Sequence, residues 1–273
     1  MVIGLTADSY RKIPVSTILS MIKWIGVQAS EVTQHVFVHP ERVLKNSRGM
    51  KLGLHLPNVG NDGYDLSSLM YKEEIEWSLG KVAQYGDRFQ FQYAVFHPPE
   101  RDTSQQSLDF YISNLHQIPI PLILENPRGW SRDRFSRFFR DIQDKLEDRL
   151  HGICLDIPHA HLAGEDWVAF YQIFREQIRV IHLSDCKEEE DLHLPFNCGG
   201  DLNLQDILTT LKKEGFDGIL NLEIKPPSIN HLDYFFETYM QTQEFCHPGN
   251  YKKMKRRMKI VNRLGRCLGR FFK

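Results

Sequence analysis

The chain has 273 residues, 41% hydrophobic and 25% charged, enough apolar material for one sizeable core but short for two average domains. That composition excludes a fibrous, collagenous or wholly disordered chain, and no run of about 18 uncharged apolar residues is present to span a bilayer. The net charge of −1 hides an asymmetry: residues 252–273 hold ten Lys/Arg and no Asp/Glu, so residues 1–251 carry 24 basic and 35 acidic side chains, a net of −11. A body that negative is poorly suited to gripping a nucleic acid backbone, which argues against long DNA as a partner.

The first element is strand-like, Val2-Ile3-Gly4-Leu5-Thr6-Ala7-Asp8, with no basic leader before it. Five cysteines (154, 186, 198, 246 and 267) form an odd set without a C-x-x-C pair, so a reducing, cytoplasmic location without disulfides is expected. Further apolar, β-branched runs follow near 24–29, 51–56, 93–97, 121–125, 151–156, 179–184 and 218–224. They are continuous rather than alternating, which suits strands buried on both faces of a parallel sheet. Between them, Ser67–Tyr85 places Leu69, Met70, Ile75, Leu79 and Val82 at near-helical intervals. Arg132–Leu150, Asp166–Gln177 and Leu204–Glu214 behave similarly, whereas 32–50 lacks regular spacing and reads mostly as loop. Eight strands with intervening helices in residues 1–245 predict a single α/β (β/α)8 TIM barrel, followed by a basic tail over 246–273. The competing doubly wound sheet lacks its G-x-G-x-x-G after the first strand, and no Walker loop occurs.

In such a barrel the C-terminal ends of the strands surround the active site, so a polar residue ending an apolar run points into it. Strands three to eight end in His55, His97, Glu125, Asp156 (with His159 three residues on), His182 (with Asp185) and Glu223. The loop after strand seven adds Asp191 and His193. Five imidazoles and four carboxylates on one rim would repel and desolvate one another unless cations compensated them. Mixed nitrogen and oxygen ligands suit zinc, manganese or iron better than calcium or magnesium.

The series LHLP, VFHP, ILEN, CLDIPHAH, VIHLSD, DLHLPFNCGGDL and LNLEI resembles the xylose-isomerase-like TIM-barrel superfamily, in particular its AP endonuclease family 2 branch, which includes endonuclease IV. The similarity runs over most of residues 1–225. It implies up to three divalent ions, zinc or manganese. His55, His97 and Glu125 would hold one; Glu125 would bridge to a second on Asp156, His182 and Glu223; His159, Asp191 and His193 would hold the third. Sugar isomerases of the superfamily use a smaller set resembling Glu125, Asp156, His182 and Glu223 around one ion.

Two chemistries follow from that resemblance. A multinuclear centre would make a phosphoester hydrolase, with hydroxide generated between ions and Glu125 setting the nucleophile's geometry. A single-ion centre would make a sugar or sugar-phosphate isomerase or epimerase, with Glu125 and Glu223 shuttling a proton and His159 steadying a substrate hydroxyl. The first is the preferred expectation, with a small phosphodiester or sugar phosphate as substrate. No ligand position is lost, which argues against a barrel without turnover. The DNA-handling loop of endonuclease IV is not recognisable in Ser30–His35, again arguing against long DNA.

Several residues are read beside these. Glu31, ending strand two, fits a sugar-binding site; Arg128, just past Glu125, reads first as a surface arginine that could also meet a substrate phosphate; Asp185 is expected to orient an imidazole. Cys186 and Cys198 flank the expected metal loop and could bind a soft ion, but read first as incidental loop residues, and His35 and His39 as surface groups. In the tail, apolar residues at 254, 258, 261, 264, 268 and 271–272 fall at helical spacing between Lys/Arg, a pattern able to lie on an anionic membrane surface.

Overall fold

The computed structural model describes residues 1–10, 13–100, 103–225, 228 and 232–257. Eight parallel strands close on themselves in the order β1-β10-β7-β6-β5-β4-β3-β2: β1 (Val2–Ala7), β2 (Ala29–Thr33), β3 (Lys51–His55), β4 (Tyr93–Phe96), β5 (Leu122–Glu125), β6 (Leu150–Asp156), β7 (Ile178–Leu183) and β10 (Ile219–Leu222). Helices α1 (Val15–Ile25), α2 (Pro40–Ser47), α4 (Lys72–Phe89), α5 (Gln105–His116), α6 (Arg132–Leu146), α8 (Trp167–Phe174), α9 (Leu204–Lys213) and α10 (Leu232–Cys246) lie between or after them. Short helices α3 (Val59–Asp62) and α7 (Ile157–Leu162) sit in the loops at the C-terminal mouth. This is a (β/α)8 TIM barrel.

Alternation along each strand divides the core in two. Tyr93, Val95, Ile123, Cys154 and Val180 pack together inside the barrel, while their neighbours Ala94, Phe96, Leu122, Leu124 and Ile181 join the larger layer that includes helix residues. Gly53 lies inside, and a Cβ there would overlap the Tyr93 ring; only glycine lets that tyrosine cross the barrel. Closure leaves no sheet edge and brings every strand's C-terminal residue to one mouth.

Three expectations change. The second strand runs over Ala29–Thr33, not 24–29, because Trp24 and Ile25 finish α1, whose Val15, Leu19, Ile22 and Ile25 form a buried stripe. Gly26 (φ +108°) ends that helix. The strand itself, Ala-Ser-Glu-Val-Thr, is buried throughout yet too polar to register as an apolar run. Residues 32–50 are not mostly loop: they hold the end of β2, a 3-10 turn (Gln34–Phe37) and α2, which starts on Pro40. Finally, the loop after β7 contains an antiparallel hairpin, β8 (Asp185–Lys187) and β9 (Glu190–Leu194).

Among the described residues no helix is long and apolar enough to cross a membrane. Of the basic tail, 248–257 are helical and pack where the strands begin: Met254 is 4% exposed, and Arg257 Nη1 donates to the Trp24 carbonyl at 3.4 Å. The apolar positions from 258 onward, and with them most of the membrane-binding pattern, lie outside the described residues.

Candidate metal centre

Local structure aims each polar side chain into the mouth. Asp156 ends β6 and is also the N-cap of α7: its Oδ1 accepts the His159 N–H at 2.6 Å. The D-x-x-H spacing is therefore a capping spacing, and it leaves Oδ2 for the cavity. Asn126 clamps the same corner. Its Oδ1 accepts from the Asp156 N–H (2.7 Å), its Nδ2 donates to the Asp156 carbonyl (2.9 Å), and its own carbonyl accepts from His159 Nδ1 (3.0 Å). With Nδ1 carrying the proton, His159 presents Nε2 to Asp191 Oδ2 at 2.9 Å. Sequence reasoning missed Asn126, although it directly follows Glu125 in the ILEN stretch.

His182 is fixed from behind. Both oxygens of the fully buried Glu31 stand 3.0 and 3.1 Å from its Nε2. The proton on that nitrogen leaves Nδ1 bare, and three carboxylates surround it: Glu223 Oε2 at 3.0 Å, Glu125 Oε2 at 3.2 Å and Asp156 Oδ2 at 4.0 Å. His55 has the same logic, its Nδ1 donating to the Leu56 carbonyl at 2.9 Å. Its bare Nε2 lies 3.4 Å from His97 Nε2 and 3.6 Å from Glu125 Oε2, with His97 Nε2 3.3 Å from that oxygen.

With neutral imidazoles these contacts would set lone pair against lone pair. Glu125 Oε2 and His182 Nδ1 are buried and lack any hydrogen-bond partner, a costly arrangement unless a cation sits among them. A tetrahedral ion with bonds of about 2.1 Å holds its ligands about 3.4 Å apart, which the His55–His97–Glu125 spacings match. His55, His97 and Glu125 can thus share one divalent ion, and Asp156, His182 and Glu223 form a second group of donor atoms within 4.8 Å of one another.

Electrostatics carry the same message. Burial would depress the His55 pKa, but Glu125, Glu31 and Glu223 lift it to about 9. Burial likewise opposes charging His159 and His182, yet the acids around them, with the Cys154 sulfur beside His182, hold both well above the usual imidazole range. Burial pushes Asp156 up to about 8. Although burial opposes it, the histidines around Glu125 and Glu223 keep both below the ordinary carboxyl range. Without metal the pocket thus recruits protons to offset its carboxylates, the charge a divalent ion would supply.

Asp191 and His193 come from β9. The Lys225 N–H donates to the His193 carbonyl at 2.6 Å, and His193 adopts a left-handed φ of +47°, turning its ring toward the mouth. His193 Nε2 lies 3.6 Å from Asp191 Oδ2. All nine strand-end and hairpin residues are therefore brought together. The other three expected residues divide. Glu31 holds His182, as above. Arg128 Nη2 donates to the Glu189 carbonyl in the hairpin turn and lines the mouth. Asp185 does not orient an imidazole: its Oδ1 accepts from the Cys186 and Leu202 N–H groups at 3.0 and 2.9 Å, so it braces the loop after the hairpin. His35 is not simply a surface group; its Nδ1 lies 2.7 Å from Asp8 Oδ1 at the ends of β1 and β2.

Above the acids opens a cavity of about 590 Å³. Seven of the nine residues line it, all but Asp156 and His182, together with Asn58, Asn61, Arg128, Trp130, Arg134 and Lys225. Arg134 stacks over the Trp130 ring at 3.9 Å, and Lys225 Nζ donates to Asn61 Oδ1 at 3.1 Å.

Residues 47–240 match the pattern of a known TIM-barrel family. The chain belongs to the xylose isomerase-like TIM barrel family. No curated protein matches its sequence. Among solved structures it is similar to a D-tagatose 3-epimerase-like protein (19% identity, covering 92% of this chain and 99% of that one, TM-score 0.66). It is also similar to a 3-keto-D-glucoside 4-epimerase from E. coli (12%, 89% and 99%, 0.63) and to an AP endonuclease of family 2 from Brucella melitensis (11%, 86% and 98%, 0.61). At these identities the likeness concerns the fold.

Proposed function

We propose that this protein is a metal-dependent isomerase or epimerase of a sugar or sugar phosphate. One observation carries the reading: Glu125 and Glu223, from strands on either side of β6 and β7, approach the same bare His182 Nδ1 at 3.2 and 3.0 Å. A divalent ion on Glu125, Asp156, His182 and Glu223 would polarise a substrate carbonyl and acidify the adjacent C–H. One ionised carboxylate would take that proton and return it to the neighbouring carbon, or the other, after drawing a proton from solvent, would deliver it to the opposite face. Glu31 holds His182 in the tautomer that leaves Nδ1 free. Asn58, Asn61 and Lys225 offer hydrogen bonds to hydroxyl or phosphate oxygens, and Trp130 offers an apolar ring face. Two of the structural relatives named above are an epimerase-like protein and an epimerase, which supports this reading over the hydrolytic one.

Asp191 and His193 favour a second reading. A single-ion isomerase does not need them, yet they stand beside His159 and complete the set suited to phosphoester hydrolysis by several ions. Incubating manganese- or zinc-loaded protein in deuterated water with a panel of ketoses, aldoses and their phosphates separates the two. The isomerase reading expects solvent deuterium at a sugar carbon and loss of turnover by at least about a hundredfold in E223Q. Cleavage of a phosphodiester without deuterium uptake by any sugar would instead establish the hydrolase.

A further inference from the structure

A second group of side chains able to ligate a metal stands outside the mouth cluster. A ring nitrogen of His161, Sγ of Cys186 and a carboxylate oxygen of Asp201 lie within 4.8 Å of one another. They come from three segments: α7, β8 and the loop that follows β9. The last two are wired together by the backbone, since the Asp201 N–H donates to the Cys186 carbonyl at 2.8 Å. Asp201 Oδ2 accepts from the Glu188 N–H at 2.6 Å, leaving Oδ1 uncommitted in that network. Asp185 supports the same corner through the Cys186 and Leu202 N–H groups, and Gly200 is required there because a Cβ would overlap the Asp185 carboxylate.

We propose that His161, Cys186 and Asp201 form a separate structural zinc site that clips the β8–β9 hairpin to the barrel. Imidazole, thiolate and carboxylate are the three ligand types zinc prefers, and water or a backbone group completes a tetrahedron. On binding, the Cys186 thiol gives its proton to solvent, and thiolate and Asp201 together neutralise the ion. Burial, with Asp185, Asp201, Asp191 and Asp156 nearby, pushes the free thiol up to about 12; those same acids stabilise a cation at that sulfur. His161 is exposed, so its ring is free to draw in toward the other two ligands. The clip would fasten the segment that carries Asp191 and His193, and it does not depend on which reaction the mouth performs.

Cobalt(II) tests this directly, because a thiolate on cobalt gives a near-ultraviolet charge-transfer band that imidazole and carboxylate ligands do not. Full-length protein loaded with cobalt is expected to show the band, and C154S is expected to keep it, since Cys154 lies inside the barrel below His182. C186S should lose it. H161A alters an exposed side chain and should bind cobalt at least about tenfold more weakly by the same band. The proposal is overturned if the wild-type protein shows no band at saturating cobalt, or if either H161A or C186S keeps the band with unchanged affinity.

Discussion

Both carboxylate oxygens of Glu31 face the same nitrogen of His182, at 3.0 and 3.1 Å, and both residues are completely buried. The pair fixes which imidazole nitrogen carries the proton, and so which one looks into the mouth. A buried carboxylate behind a ligating histidine typically tunes metal affinity by ten- to a hundredfold. In E31Q the amide can still accept a hydrogen bond but no longer balances charge. Calorimetric titration should find metal affinity about ten- to a hundredfold weaker; affinity unchanged within twofold would remove Glu31 from the centre.

The mouth titrates in a way metal should reverse. In the metal-free protein the His55 pKa is raised to about 9, so its stabilisation is complete below the unfolded value near 6.5 and is lost as pH rises through 9. Asp156 is raised to about 8, so the folded state prefers the neutral acid, and the penalty for ionising it grows from about pH 4 to 8. Both groups weaken the metal-free fold as pH rises. Metal needs both deprotonated, so its binding strengthens over the same range. The Tm difference between metal-loaded and chelated protein should therefore widen from pH 6 to pH 9. A difference that narrows would contradict the placement of these two groups at the metal.

The hairpin offers a test of ion number. If Asp191 and His193 bind metal, the D191N/H193A double variant should hold fewer ions than wild type by elemental analysis, while retaining the ion on Asp156, His182 and Glu223. Equal counts would show that the hairpin residues serve substrate rather than metal.

Gly53 gives a prediction about the scaffold. G53A places a methyl group against the Tyr93 ring inside the barrel, and overpacking of this sort costs about 1–3 kcal/mol. Urea unfolding should reveal that loss, and G53A/Y93F should not restore it, because the added methyl meets ring carbons as well as the hydroxyl. Wild-type stability in G53A would mean the ring does not lie where it is described.

Much of this was legible in the sequence because parallel barrel strands are apolar runs that stop at the mouth. Leu52 and Leu54 before His55, or Ile153 and Leu155 before Asp156, announce both a strand and the direction of its last polar side chain. β2 escaped because both of its faces carry buried polar groups: Glu31 points inward at His182, and Ser30, on the other face, donates to the Leu5 carbonyl, so the strand does not read as an apolar run. Trp24 and Ile25 supplied a false substitute, since four buried positions at helical spacing only become visible once α1 is seen to begin at Val15. Asn126 was hidden for a different reason. Its three hydrogen bonds join β5 to the β6–α7 corner, and such a link between distant segments leaves no periodic trace. Asp185 was misassigned because spacing alone cannot tell a carboxylate aimed at a ring from one aimed at backbone N–H groups.

The decisive measurement is a crystal structure of protein loaded with manganese or zinc, with anomalous data collected at the metal edge. It should show an anomalous peak within bonding distance of His182 Nδ1, Asp156, Glu125 and Glu223. A well-ordered mouth with no peak among those four side chains would contradict the account.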